Sequence, residues 1–161
     1  MAEQTTNVVI AGLGGQGVLK ASDIVADAAF RAGFDVKKSE IHGMSQRGGS
    51  VTSDVRFGAR VWSPMVPDGE ADFLVVLDAG QVENNRWQLR AGGCLLTPDA
   101  AAQLKLRSKK SLNVALLGAL SARLGIPEEC WLAAIRASLP EKLHESNLEA
   151  FAEGRSTGEP Q

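Results

Sequence analysis

Hydrophobic and polar positions change period several times along the chain, and each change marks an element. Asn7-Val-Val-Ile-Ala11 is a compact, β-branched run that stops at a glycine, the pattern of a buried parallel strand. From Val18 the apolar positions switch to helical spacing, at Val18, Leu19, Ala21, Ile24, Val25, Ala28 and Ala29. Gly33 is a natural helix stop. Phe34-Asp-Val-Lys-Lys-Ser39 then alternates as a second strand. The three pieces predict a β-turn-α-β unit with a right-handed crossover.

Ser50 to Phe57 alternates Val51, Ser53, Val55 and Phe57 against Thr52, Asp54 and Arg56, a half-exposed strand. Gly58-Ala59 turns it, and Arg60-Val-Trp62 is expected to return as a hairpin. Ser63 to Gly69 is a loop with two prolines. Ala71-Asp-Phe-Leu-Val-Val-Leu-Asp78 places five apolar residues between aspartates, a strand buried on both faces. Gln81 to Leu89 reads as a short polar helix, Arg90 to Gly93 as a turn, and Cys94 to Thr97 as a strand ended by Pro98. Asn113 to Leu124 is apolar on all sides, so it is a buried helix or one packed on another subunit. Glu128 to Leu139 and Glu141 to Glu153 are further helices, and residues 154–161 read as a frayed tail. The expected fold is α/β, a single-domain three-layer sandwich. It has a mostly parallel sheet, a Rossmann-like opening unit and a helical C-terminal part. One domain spans residues 1–161, with its ordered core at about 7–153.

Composition narrows the function. In 161 residues, 44% hydrophobic and 22% charged is ordinary for a globular protein. A net charge of −2 gives no reason to expect affinity for nucleic acid or a membrane surface. Tyr is absent, and five Phe and three Trp make a poor platform for stacking bases. No apolar run approaches the roughly 20 residues of a membrane helix, and the opening Met-Ala-Glu-Gln-Thr-Thr has no basic n-region. A cytoplasmic protein is expected. The two cysteines, Cys94 and Cys130, form no CxxC and read as reduced core residues rather than metal or cluster ligands.

Gly12, Gly14 and Gly17 match GxGxxG between a strand and a helix, with Gly15 and Gln16 inside the turn. Glycines there let a phosphate approach the backbone, and the helix start favours an anion. Glu40 lies near the place of the acid that would hold a ribose. Three readings stand: close helix–sheet packing alone, contact with an anionic cofactor, or NAD binding. Ser39 to Ser50 has neither strand nor helix periodicity and reads as a loop facing that turn. It carries Glu40, His42, Met44, Gln46, Arg47, Gly48 and Gly49, a mixture a scaffold loop rarely needs. His42 serves as a site residue or as a loop histidine bonded to backbone. No GxSxG elbow or assembled triad accompanies it, so the chain carries no catalytic residue by itself. His144 reads as a surface histidine. Asp78 is either an N-cap or a ligand group at a strand's C-terminal end. Lys105, Arg107, Lys109 and Lys110 form a solvated face, or they meet an anionic cofactor tail or acidic partner.

Four stretches together resemble one family. They are Asn7 to Val18, Lys38-Ser-Glu-Ile-His-Gly-Met-Ser-Gln-Arg-Gly-Gly-Ser-Val51, Val61-Trp-Ser-Pro64 and Ala71 to Asp78. The pattern is similar to the gamma-type subunit or domain of 2-oxoacid:ferredoxin oxidoreductases, nearest the beta subunit of the indolepyruvate enzymes. Asn113 to Leu120 and Asn147-Leu-Glu-Ala-Phe151 extend it, so it covers about residues 7–153.

The resemblance implies a complex that oxidatively decarboxylates a 2-oxoacid, here an arylpyruvate, to an acyl-CoA. Thiamine diphosphate, Mg and [4Fe-4S] clusters would lie in a larger partner subunit, with ferredoxin as acceptor and coenzyme A as co-substrate. This chain would hold none of those groups alone. The glycine turn would contact cofactor, and the Glu40–Gly49 residues would face substrate or partner. One departure is visible: Thr97 to Asn113 is shorter than the family pattern and strongly basic. That leaves the aryl 2-oxoacid open. The competing reading is a stand-alone dinucleotide-binding module or an NAD-linked subunit.

Overall fold

The structure, a computed structural model, describes residues 4–42 and 49–158. Its strands are β1 (Thr6–Leu13), β2 (Asp35–His42), β3 (Ser50–Gly58), β4 (Ala71–Val76) and β5 (Leu89–Leu96). Its helices are α1 (Val18–Arg31), α2 (Val82–Asn85), α3 (Leu112–Ser121), α4 (Glu128–Ser138) and α5 (His144–Gly158). The strands form one sheet in the order β2-β3-β1-β4-β5. β4 and β5 run parallel to β1. β3 is antiparallel to both β1 and β2, so β2 points the same way as β1. The sheet is mostly parallel, with β3 as the one reversed strand.

Alternation along the strands sends two sets of side chains to opposite faces. Val8, Ile10, Val51, Val55, Phe57 and Val75 pack with α1, α3, α4 and α5 in the main core. Val9, Ala11, Leu74 and Val76 face the other way, under Val66, Val82 and Leu89. The layers are therefore a helical face, the sheet, and a thinner cover made by α2 and the loop before β4. No helix among the described residues is long and apolar enough to cross a membrane.

The apolar helix α3 is buried along nearly its whole length, inside this chain. Its neighbour is α5, and the two backbones meet at glycines. A methyl on Gly118 would overlap the Phe151 carbonyl, and one on Gly154 would overlap the Ala115 carbonyl.

Five expectations change. Residues 154–158, expected as part of a frayed tail, continue α5 to Gly158, because Gly154 lets the helix pack on Ala115 of α3. Residues 39–42 belong to β2 and Ser50 opens β3. Ser39 and Glu40 point to opposite faces of an edge strand and neither is buried, which hides the apolar period. Residues 60–62 form no hairpin partner for β3, because β1 and β2 already occupy both of its edges. Side chains hold that loop instead: Asp35 accepts from Val61 N–H at 2.7 Å, Asp54 accepts from Val66 N–H at 2.9 Å, and Arg56 donates to the Ser63 carbonyl at 2.9 Å. Residues 90–93 lie within β5, as an irregularity where Ala71 faces Leu89 but Phe73 faces Cys94. Gly92, at φ 77°, allows that distortion. Finally, His144 begins α5 and its Nε2 lies 2.7 Å from the Leu139 carbonyl oxygen, so it is tied to backbone.

Candidate functional site

The site is built at the C-terminal end of β1 and β4. β1 ends in the glycine turn, and Gly15 and Gly17 both have positive φ, 89° and 85°. Gly17 caps α1 with no side-chain hydrogen bond to the helix start, which leaves first-turn N–H groups for another acceptor. Gln16 closes the turn. Its Oε1 accepts from Leu13 N–H at 2.7 Å, and its Nε2 donates to Asp78 Oδ2 at 2.8 Å. Asp78 Oδ1 accepts from Gly80 N–H at 2.9 Å. Asp78 is thus an N-cap and also the anchor of the glycine turn.

Gly12 serves packing: a Cβ there would crowd Gln16 Oε1 at 2.9 Å and Val18 at 3.0 Å. Gly15 is open, with nothing within 4 Å of where its Cβ would stand. Gly17 lies against Asn113 of α3, whose Nδ2 donates to its carbonyl at 3.3 Å. A cavity of about 540 Å³ opens here, lined by Gly15, Gln16, Gly17, Lys109, Lys110 and Asn113 among others. Half of the basic segment therefore borders the glycine turn. The other half does not: Arg107 pairs with Glu149 at 2.9 Å and Glu145 at 3.7 Å on α5.

The glycine turn does meet Gly49, the residue before β3. Gly14 N–H donates to the Gly49 carbonyl at 2.9 Å, and Ser50 Oγ donates to Gln81 Oε1 at 3.1 Å. Met44, Gln46, Arg47 and Gly48 lie outside the described residues, as does the side chain of His42. Glu40 is on β2 and does not face the turn. It accepts from Lys38 at 2.6 Å, and Lys38 also binds Asp23 of α1. Burial works against the Lys38 charge, but its bonds to Asp23 and Glu40 prevail and raise its pKa above the usual 10.5. Glu40 thus helps fasten α1 to the sheet. A ribose-binding acid in a dinucleotide fold sits on the strand next to β1; here β3 occupies that place. Among the described residues no group of three or more His, Cys, Asp or Glu could hold a metal ion. Cys94 and Cys130 are free and half-buried.

Sequence reasoning missed Asn113 and the double role of Gln16. Neither left a local signal, since their partners lie 96 and 62 residues away.

The arrangement defines a class: an α/β protein with a glycine turn at the C-terminal end of its parallel strands, open at Gly15 and bordered by Lys109 and Lys110. The chain belongs to the pyruvate ferredoxin/flavodoxin oxidoreductase family, whose profile matches residues 7–103 and 99–157. The two matched segments overlap at residues 99–103. The chain is 36% identical to the indolepyruvate oxidoreductase subunit IorB of Thermococcus kodakarensis, covering 92% of this chain and 93% of that one. The gamma subunit of a keto/oxoacid ferredoxin oxidoreductase from Geobacter sulfurreducens superposes with a TM-score of 0.80 at 25% identity, over 95% of this chain and 98% of that one. A 2-oxoglutarate:ferredoxin oxidoreductase from Magnetococcus marinus, solved with 2-oxoglutarate, coenzyme A and succinyl-CoA bound, shares the fold with a TM-score of 0.83 at 21% identity. That match covers 96% of this chain but only 31% of the longer one.

Proposed function

We propose that this chain is one gamma-type domain serving as the small subunit of an indolepyruvate oxidoreductase complex. The complex would convert indolepyruvate, or another arylpyruvate, to its acyl-CoA and pass electrons to ferredoxin in the cytoplasm. What carries the reading is 36% identity to an IorB subunit across nearly the full length of both chains. Thiamine diphosphate with Mg and [4Fe-4S] clusters, held by a larger partner subunit, would supply decarboxylation and electron transfer. This chain alone is inactive.

Its own residues bind and position. Coenzyme A carries a pyrophosphate, and the glycine turn fits one. Gly15 leaves the backbone open, the α1 start offers N–H groups, and Lys109 and Lys110 add positive charge on the same cavity. Gly12, Gly14 and Gly17 shape the turn, and Gln16 fixes it. His42, Met44, Gln46, Arg47, Gly48 and Gly49 are assigned to the substrate or partner side, where Arg47 would suit a carboxylate or phosphate. Glu40 is left with a structural part.

The test is anoxic co-expression with the larger subunit. CoA-dependent reduction of an electron acceptor by indolepyruvate, present only when both chains are combined, supports the reading. A colourless monomer that retains a bound nucleotide and adds nothing to the larger chain overturns it.

A further inference from the structure

Among the described residues, the second face of the sheet is unevenly covered. Val66, Val82 and Leu89 lie over β1 and β4. Over β2 and β3 the same face presents Lys37, Ser39 and Ile41, paired across the strands with Arg56, Asp54 and Thr52. Ile41 is 50% exposed there. The loop between β3 and β4 is tied to this face at Asp35, Arg56 and Asp54, and on it Trp62 is 82% and Met65 52% exposed. The Arg60 guanidinium lies 5.1 Å from the centroid of the Trp62 ring.

An exposed tryptophan on a loose loop would mean little. This loop is fastened to the sheet at three backbone points, by Asp35 at Val61, Arg56 at Ser63 and Asp54 at Val66. Asp54 is 5% exposed and points at the loop from within the sheet. A large aromatic held on a rigid backbone loses little conformational freedom on association, which is the character of a central anchor in an interface.

The occupant follows from chain length. The same fold occupies 31% of the longer Magnetococcus marinus chain, but 93% of the Thermococcus kodakarensis subunit is matched by this chain. A domain that is covalently joined to others in one protein must reach its neighbours through a surface when it stands as a separate subunit.

We infer that Trp62 and Met65, with Arg60 at the edge, form the docking surface for the larger subunit of the same complex. This rests on the functional reading above. Trp62 inserts as the apolar anchor, and Arg60 favours a carboxylate at the edge of the partner's surface, whereas Lys37 is already paired with Asp35 at 3.5 Å.

The experiment uses the co-expressed complex, followed by native mass spectrometry across a dilution series. Trp62→Asp is expected to weaken the complex about 30-fold or more, leaving a monomer whose circular dichroism matches the parent. Phe30→Asp, at another well-exposed aromatic site, on α1, is the control and leaves assembly unchanged. Hydroxyl-radical footprinting of the unmodified complex provides a second readout that requires no substitution, and Trp62 and Met65 should be protected on assembly. A Trp62→Asp complex as tight as the parent, or unprotected Trp62, overturns the surface while leaving the subunit reading intact. Self-association of the isolated chain that Trp62→Asp abolishes, with the complex unaffected, assigns the surface to a second copy and also overturns it. Failure of the unmodified chain to join the larger subunit overturns both readings.

Discussion

Gln16 and Asp78, 62 residues apart in sequence, are joined by a 2.8 Å hydrogen bond that ties the glycine turn after β1 to the end of β4. The same Gln16 side chain accepts from Leu13 N–H at 2.7 Å. One amide therefore fixes both the shape of the turn and its position on the sheet. Gln16→Ala strands a backbone donor and removes a partner from Asp78. Unfolding free energy should fall by about 1–3 kcal/mol in denaturant titration. Gln16→Glu should cost at least as much, because it sets a second carboxylate against Asp78.

Gly15 and Gly17 have nearly the same positive φ but different surroundings. At Gly15 a methyl meets open space; at Gly17 it meets Asn113 Nδ2 at 2.5 Å. Gly15→Ala should cost about 1–2 kcal/mol from conformation alone, and Gly17→Ala clearly more. The excess should shrink in the Gly17→Ala, Asn113→Ala double variant, and a double-mutant cycle measures it.

Helix propensity and packing make opposite predictions at Gly154. Alanine is about 1 kcal/mol better than glycine in an exposed helix interior. Here the added methyl would overlap the Ala115 carbonyl of α3. Gly154→Ala should therefore destabilise, by about 2 kcal/mol or more, and thermal unfolding reads the sign directly.

Asp35 and Asp54 both hold the Trp62 loop, with opposite pH signatures. Burial pushes the Asp54 carboxyl above its ordinary 3.8, against the Val66 N–H and the Arg56 charge. The folded chain then binds a proton that the unfolded chain releases. That contribution to stability is fully present below 3.8 and is lost as pH rises through the folded value. The Val61 N–H is the chief reason that Asp35 stands below 3.8. Its contribution is present above 3.8 and is lost as pH falls through the folded value. Stability profiles from about pH 3 to about pH 7 should lose the first dependence in Asp54→Asn and the second in Asp35→Asn.

If coenzyme A meets the glycine turn, Lys109 and Lys110 act on its phosphates. The Lys109→Ala, Lys110→Ala pair should raise KM for coenzyme A roughly tenfold, with little change in KM for the 2-oxoacid. The difference should diminish as salt is added. Equal changes in both KM values would place the lysines elsewhere in the cycle.

Local pattern determined much of this protein. The run Val8–Ala11, the helical spacing from Val18 and the apolar stretch before Asp78 each specify an element that the fold contains, because side-chain period and backbone geometry are coupled within a few residues. The glycine turn was also legible, since a strand, a glycine cluster and a helix follow in order. The family pattern in residues 7–153 is in the sequence too, and with it the class of complex. Tertiary structure alone decided where β3 goes. Its alternation fits any edge of the sheet, and only the joint burial of Val51, Val55 and Phe57 under α1 places it between β1 and β2. That insertion moves Glu40 away from the glycine turn and onto Lys38. It also decided that Lys109 and Lys110 border the turn, and that Asn113 touches Gly17 across 96 residues. Contacts at such separations leave no periodic trace, because they arise from how completed elements pack and not from the spacing within any of them.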